Sequence, residues 1–205
     1  YEIAGFHIDI ENLVAAGRGT AFKNLGKVTT QGLEVRMDYL FSELSYFLPN
    51  LDISYTFLST EVKDATIISN VSGTYGSEIP IKGKELPYSP AHTLIAGLEF
   101  NPINNLSIRP DLKYVSKVYT DFENIEKEDD IGVSGPVPEY LIFNISGNFQ
   151  IGKKLKLLLA GKNIKDEIYI GSRLHSNPGQ KEANISSGIL PGPRRQINLG
   201  IEYTF

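Results

Sequence analysis

The stretch QINLGIEYTF, residues 196–205, decides the fold. Its apolar side chains fall at every second position, and polar side chains or glycine fill the positions between them. Period-two alternation places the apolar set on one face of an extended strand. The stretch therefore predicts a β-strand with an apolar face of Ile197, Leu199, Ile201, Tyr203 and Phe205 and a polar face of Gln196, Asn198, Gly200, Glu202 and Thr204.

The same alternation recurs along the chain, and helical periodicity is almost absent. Residues 32–41 repeat it, because apolar Leu33, Val35 and Met37 alternate with charged Glu34, Arg36 and Asp38. Pro110 lacks the N–H that a strand donates, so we expect a bend or bulge there. The sequence predicts an all-β fold of about eight strands, at residues 1–10, 32–41, 51–57, 93–100, 106–119, 141–149, 155–160 and 196–205.

The links between these strands alternate strictly in length. The long links are residues 11–27, 64–90, 122–138 and 170–193, and the short ones are residues 42–50, 101–105 and 152–153. Outer-membrane barrels show this asymmetry, with long extracellular loops and short periplasmic turns. A β-sandwich also has one apolar and one polar face per strand, but it has no reason to sort its links. The alternation therefore predicts an antiparallel meander that forms the wall of a membrane-spanning barrel.

The two faces of the strands differ as a bilayer requires. Charged side chains on the polar faces would not tolerate lipid, so we expect them to face the lumen: Glu34, Arg36, Asp38, Arg109, Asp111 and Lys113. The apolar faces end in aromatic residues such as Tyr39, Phe100 and Tyr203, which is typical of an interfacial aromatic girdle. The sequence thus predicts that the apolar faces contact the lipid bilayer.

Composition excludes several classes of function. The 205 residues carry a formal net charge of −4, so no basic field indicates nucleic-acid binding. The lack of cysteine excludes disulfides, thiolate zinc sites and cysteine nucleophiles. None of His7, His92 and His175 has a second ligand at metal-binding spacing, and no nucleophile elbow or phosphate loop occurs. We therefore expect no enzyme, no cofactor and no metal site.

Five motifs, which follow one another in the same order as in the family, resemble the barrel of TonB-dependent outer-membrane receptors. They are FKNLGKVTTQGLEVRMDYLF (22–41), LDISYTFLSTEVKD (51–64), GKELPYSPAHTLIAGLEF (83–100), LAGKNIKDEIY (159–169) and GPRRQINLGIEYTF (192–205). The fourth is similar to an Asn-Leu-x-Asp-x-x-Tyr box in the penultimate strand of that family. The resemblance implies a 22-stranded transmembrane β-barrel around a plug domain. Residues 1–205 would be its C-terminal segment, and the plug and the N-terminal strands would lie outside this chain.

The same resemblance implies active import. Receptors of this family take up an iron chelate, either a ferric siderophore or ferric citrate, across the bacterial outer membrane with energy from TonB. The TonB complex would act through the N-terminal part of the receptor. Phe205, with Tyr203, Ile201 and Leu199, resembles the assembly signal of outer-membrane barrels, which implies the barrel-assembly machinery as a further partner.

The last long link holds the candidate substrate-binding residues, Arg173, His175 and Arg194, with Arg195 beside them. Ferric chelates expose carboxylate, hydroxamate or catecholate oxygens, and a guanidinium offers a charged fork to such oxygens. Counting back from Phe205 by twos places Arg194 toward the lumen and Arg195 toward the extracellular headgroups, provided that no bulge intervenes. The alternative is that these are ordinary arginines of a surface loop.

Two other functions stay open from the sequence. One is a passive outer-membrane barrel, porin-like or a small structural barrel, since about eight strands can close on themselves. The other is a soluble β-domain that binds glycans. An open sheet with two unpaired edges would favour a segment of a large barrel, and a closed ring would favour the small one.

Overall fold

The computed structural model describes residues 1–16, 22–45, 47–69, 73–174 and 187–205. In these ranges the chain consists of strands and links, with one turn of 3-10 helix at Phe41–Glu43. In chain order the strands are β1 (Glu2–Ile10), β2 (Val14–Ala16), β3 (Phe22–Asn24), β4 (Lys27–Tyr39), β5 (Asn50–Asp64), β6 (Thr66–Ile68), β7 (Glu78–Pro80), β8 (His92–Ile103), β9 (Leu106–Val115), β10 (Tyr140–Ile151), β11 (Leu155–Lys162), β12 (Ile170–Arg173), β13 (Ile189–Pro191) and β14 (Gln196–Tyr203). None of the described residues form a helix long and apolar enough to cross a membrane.

Eight of these strands form one antiparallel sheet in the order β1-β4-β5-β8-β9-β10-β11-β14. Every two of these strands that are consecutive in this order pair with each other, so the predicted meander is confirmed. Within the described residues β1 and β14 stand at the two edges and do not pair with each other. The sheet is therefore open, as expected for part of a large barrel wall.

The register of the last two strands confirms the faces predicted for residues 196–205. The ladder runs without a shift from Lys162 opposite Gln196 to Leu155 opposite Tyr203. Directly opposed residues point to the same face. One side of the sheet therefore carries Leu155, Leu157 and Leu159 of β11 together with Ile197, Leu199, Ile201 and Tyr203 of β14. That side is strongly exposed, at 82% of the residue surface for Leu199. Such a surface suits contact with lipid rather than with water.

The opposite side of the sheet, which we name the polar wall, carries charged residues as predicted. Arg109 pairs with Asp52 through an Nη1–Oδ1 distance of 2.6 Å and an Nη2–Oδ2 distance of 2.7 Å. Gly97 makes room for this pair, because a Cβ atom there would lie 2.6 Å from Arg109 Nη2. The bidentate pair therefore joins β5 and β9 across β8.

The links sort by length as predicted. Residues 40–49, 104–105 and 152–154 form the short links at one end of the sheet, and residues 11–26, 65–91, 116–139 and 163–195 form the long links at the other. The long links also contain hairpins that the sequence analysis missed, because β2 pairs with β3, β6 with β7, and β12 with β13. These strands have only three or four residues, too few for alternation to be recognised.

The most deeply buried apolar residues lie at the end that bears the long links. Val28 and Val62 are fully buried opposite each other on β4 and β5. These strands have 13 and 15 residues, more than the roughly 10 that cross a bilayer, so their ends protrude. Around them pack Leu25, Ile67, Ile81 and Phe122, and we name this group the loop core.

Pro110 interrupts only one of its two ladders. The ladder between β9 and β10 passes through Pro110, which lies opposite Ile145. In the ladder between β8 and β9, Pro110 has no paired residue, because proline has no N–H to donate. The register irregularity of that ladder lies between Phe100 and Ile103. The expected irregularity is thus found near Pro110, between Ile108 and Leu106 of β9, and not at Pro110 itself.

Candidate functional site

A groove of about 410 Å³ opens on the polar wall toward the long links. Its floor is formed by β9, β10, β11 and β14, because Asn144 lies opposite Asp111 and Lys162 lies opposite Gln196. We name it the rim groove, and its polar and aromatic lining residues are Asp111, Asn144, Ser146, Lys162, Asn163, Tyr169, Arg194 and Gln196. The lining holds two cationic side chains, Lys162 and Arg194, which can bind the oxygens of an anion, and one carboxylate, Asp111, which accepts a hydrogen bond from the Asn144 amide.

Arg194 lines the rim groove, but a carboxylate and not the strand sets its direction. The strand β14 begins only at Gln196. Asp166 accepts hydrogen bonds from Arg194 Nε at 2.9 Å and Nη2 at 2.6 Å, and from the backbone N–H of Arg195 at 2.9 Å. The Arg194 side chain remains 58% exposed. Arg194 lies outside the ladder on which the count along the strand depends, so its direction toward the lumen and its contact with a ligand both stay predictions.

Asp166, which orients Arg194, is not among the site residues that the sequence predicts. It belongs to the segment NIKDEIY, residues 163–169, whose resemblance to a family motif assigns no partner to the aspartate. Its backbone φ of +57° is left-handed, which aspartate tolerates better than most residues. The Arg194 guanidinium, helped by the Arg195 N–H, holds the pKa of the Asp166 carboxyl well below its usual range. Asp166 is therefore ionised and paired at neutral pH.

The lowered pKa predicts how acid acts on this contact. An unfolded aspartate has a pKa of about 3.9, so the contact contributes its full stability above that pH and loses it as the pH falls through the lowered folded-state pKa. In the full-length receptor we expect Asp166→Asn to lower the melting temperature at neutral pH, and the difference from wild type to shrink near about pH 3. Thermal unfolding followed by circular dichroism measures both. An equal difference at the two pH values would contradict this assignment.

Arg173, the second predicted ligand contact, is buried among the long links. Its side chain has no exposed surface. Nε donates to Pro136 O at 3.0 Å, Nη1 donates to Gly132 O at 2.8 Å, and Nη2 donates to Pro136 O at 2.9 Å and pairs with Glu128. This placement indicates a structural role in which Arg173 joins the third long link to the fourth. The structure does not bring Arg173 into the rim groove with Arg194, and its ligand contact stays a prediction.

The backbone of Arg173 also binds the second long link through hydrogen bonds. The Tyr88 hydroxyl donates to Arg173 O at 3.1 Å and accepts from the Arg173 backbone N–H at 3.1 Å. Nearby, the Gly188 N–H donates to Ile131 O at 2.8 Å, and a Cβ atom at Gly188 would lie 2.5 Å from Val133 Cα. The second, third and fourth long links are therefore held together as one packed unit.

The histidines add little to the candidate site. His175 lies outside the described residues, so its predicted ligand contact stays a prediction. His92 lies opposite Phe57 on the apolar side of the sheet, with Nδ1 2.9 Å from the Tyr55 hydroxyl. In the part of the chain that the structure describes, no cluster of His, Cys, Asp or Glu side chains is arranged to hold a metal ion.

Solved structures of three receptors share this fold. The siderophore receptor PiuA from Acinetobacter baumannii matches with a TM-score of 0.71 at 18% identity, over 98% of this chain and 25% of that one. The unliganded ferric citrate transporter FecA matches with a TM-score of 0.73 at 22% identity, over 98% and 28% of the two chains. The ferric yersiniabactin uptake receptor FyuA from Yersinia pestis matches with a TM-score of 0.70 at 14% identity, over 99% and 27%. The chain thus spans about a quarter of the length of these structures.

A search of curated proteins gave no match to this sequence. The family model described as TonB dependent receptor-like, beta-barrel, matches residues 1–164. This range includes every long strand of the sheet except β14, and the structural matches extend over nearly the whole chain. Proteins of this family are outer-membrane receptors of Gram-negative bacteria and not enzymes. This chain belongs to the TonB-dependent receptor family, as a segment of its outer-membrane β-barrel.

Proposed function

We propose that this chain is the C-terminal segment of a 22-stranded barrel whose complete receptor imports an iron chelate, a siderophore or ferric citrate, with energy from TonB. The observation that carries the proposal is the rim groove. There Asp166 holds Arg194 at the end of the polar wall that bears the long links. The proteins of similar fold are described as a siderophore receptor, a ferric citrate transporter and a ferric yersiniabactin uptake receptor. The open sheet supports a place in a larger barrel wall.

The chemistry of the rim groove favours an anionic ligand rich in oxygen. Asp166 binds Nε and Nη2 of Arg194, so the guanidinium is oriented before any ligand arrives. Lys162, on the neighbouring strand, adds a second cationic group to the same groove. The Gln196 amide lies opposite Lys162 and can donate to a further oxygen. Carboxylate or hydroxamate oxygens of a chelate would therefore meet charged and neutral donors on one surface.

The proposal assigns the other partners to other surfaces. TonB would act through the N-terminal part of the receptor, outside these 205 residues. The apolar side of the sheet would contact the lipid bilayer. Leu199, Ile201, Tyr203 and Phe205 would present the signal for the barrel-assembly machinery. The rings of Tyr203 and Phe205 lie edge to face with centroids 5.3 Å apart, as suits an aromatic girdle at a membrane interface.

Deletion of the full gene, followed by growth on defined iron sources, tests this proposal. We expect growth on at least one ferric chelate to stop, to return with the intact gene, and to fail again when TonB is removed. The alternative function, a passive barrel, predicts uptake without TonB, because diffusion requires no energy source. Uptake that continues in the absence of TonB would overturn active import.

Within this proposal Arg194 contributes more to ligand binding than its neighbour Arg195. We expect Arg194→Ala in the full-length receptor to weaken binding of the growth-supporting chelate about tenfold, as loss of a charged hydrogen bond does. Arg195→Ala is the matched control and should change the Kd by less than about twofold, because Arg195 contacts Asp166 through its backbone N–H. Equilibrium binding to purified receptor measures both. A loss confined to Arg195→Ala would show that the register or the site is wrong.

A further inference from the structure

The apolar pattern of the closing strand fixes its face but not its register. In the structure Leu157 lies opposite Ile201 and Leu159 lies opposite Leu199. A slip of one residue would turn every apolar side chain to the polar wall. A slip of two residues would keep each side chain on its own face, and Leu159 would then lie opposite Ile197 or Ile201, which are also apolar. Another interaction must therefore help to select the observed register.

Asn163 ties the link that leaves β11 to the chain that enters β14. Its side chain accepts a hydrogen bond from the Glu167 N–H at 2.9 Å and donates to Glu167 O at 2.9 Å and to Pro193 O at 3.0 Å. The residue is only 3% exposed, so these bonds are shielded from water. Asn163 thus closes a tight turn and holds residue 193 at a fixed distance from the end of β11.

Asp166 adds a second tie, to the next two residues of the chain. It accepts hydrogen bonds from both Nε and Nη2 of Arg194 and from the Arg195 N–H. A slip of two residues would move Arg194 and Arg195 by roughly 6.6 Å, since a strand rises about 3.3 Å per residue. Hydrogen bonds of about 3 Å do not survive such a displacement. The contacts of Asp166 are therefore compatible with one register.

Tyr169 provides a third contact with the chain that enters β14, and this contact depends on how closely the Tyr169 ring packs against Gly192. Its carbonyl oxygen accepts from the Gly192 N–H at 2.8 Å. A Cβ atom at Gly192 would lie 2.2 Å from the Tyr169 ring, so only glycine fits against this face of the ring. The ring also packs against that of Tyr140, with centroids 4.4 Å apart. Gly192 is thus matched to Tyr169, and a slip of two residues would bring Leu190 or Arg194 to its position against the ring.

We propose that residues 163–169 form a register clamp, in which Asn163, Asp166 and Tyr169 select the pairing of β14 with β11 when the barrel wall assembles. The clamp is a positioning element that acts on strand pairing, and the inference does not depend on what the receptor imports. The backbone agrees with this role, because Asn163 and Asp166 are both left-handed, with φ of +48° and +57°. Non-glycine residues hold that conformation when their surroundings fix it.

A second determinant of register lies within the strands and must be separated from the clamp. Gly200 leaves space for Leu158, because a Cβ atom at Gly200 would lie 3.3 Å from Leu158 Cβ. Lys156 also lies opposite Glu202, a favourable pair of charges. If these contacts alone selected the register, loss of the clamp would leave the pairing unchanged. Gly200→Ala is therefore the matched control for the clamp variants.

The experiment reads the register by cysteine crosslinking in the full-length receptor in the outer membrane, since residues 1–205 contain no cysteine. The in-register reporter is Leu159→Cys with Leu199→Cys, and the slipped reporters are Leu159→Cys with Ile197→Cys or with Ile201→Cys. Disulfides form readily only when the Cα atoms lie within about 7 Å, and diagonal neighbours lie at or beyond that limit, about 7–8 Å apart. Wild type sets the baseline ratio of in-register to slipped crosslink.

We expect Asn163→Ala with Asp166→Ala to lower this ratio about tenfold, and Gly200→Ala to change it by less than about twofold. An unchanged ratio in the folded double variant would overturn the register clamp, and so would a larger change in Gly200→Ala. If the double variant does not reach the membrane, Asp166→Asn is scored in the same way with an expected decrease of about threefold, and an unchanged ratio there overturns the proposal as well.

Discussion

Leu159→Arg is expected to destabilise the folded receptor by about 2–4 kcal/mol, whereas Ala160→Arg, at the next position of the same strand, should cost less than about 1 kcal/mol. Leu159 lies opposite Leu199 near the middle of β11, on the apolar side of the sheet. A guanidinium at this depth loses its hydration to lipid. Ala160 lies opposite Asn198 and Ser146 on the polar wall, where water or polar groups can solvate the same charge.

Urea unfolding of the full-length receptor in lipid vesicles measures this difference, and the amount of heat-modifiable receptor in the outer membrane provides a second readout. The two variants share the strand, the depth and the new side chain, so they differ only in the face that carries the charge. Equal losses would mean that both faces are packed against protein. A larger loss for Ala160→Arg would reverse the assignment of the lipid side.

The sequence predicted the sheet well because its information is local. Alternation along residues 196–205 gave the correct faces of β14, and the alternation of link lengths gave the meander order. The hairpins of the long links were missed because strands of three or four residues show no period. The loop core was missed for a related reason, since Leu25, Ile67 and Phe122 come from separate links and their packing is visible only in three dimensions.

In the candidate site, too, local sequence patterns do not reveal contacts between distant segments of the chain. The count along the strand directed Arg194 to the polar wall, but the residue that orients it, Asp166, lies 28 positions away along the chain. Arg173 resembles Arg194 in sequence context, and both were expected to contact a ligand. The partners of Arg173, Gly132 and Glu128, lie 41 and 45 positions away along the chain. Contacts at such separations decide whether an arginine is exposed or buried, and no local pattern reports them.

Arg173→Met is expected to loosen the second, third and fourth long links without unfolding the barrel wall. The substitution leaves the carbonyls of Gly132 and Pro136 without their charged donor and removes the partner of Glu128. Breaking a fully buried pair costs about 3–5 kcal/mol. Glu128 is 51% exposed and can be solvated by water, so we expect the lower end, about 3 kcal/mol. That corresponds to a roughly hundredfold larger population of open links.

Limited proteolysis of the receptor on intact cells measures this opening, with cleavage expected in residues 116–139 and 187–195. Arg195→Met is the control that removes an exposed arginine of the same link, and its cleavage rate should stay within about twofold of wild type. Arg173→Lys should fall between them, because an ammonium cannot reproduce the planar fork that reaches three acceptors. If Arg173 instead contacts the chelate directly, Arg173→Met would weaken binding while cleavage stayed at the wild-type rate. Affinity and proteolysis measured on the same variant therefore distinguish a residue that shapes the extracellular links from one that holds the ligand.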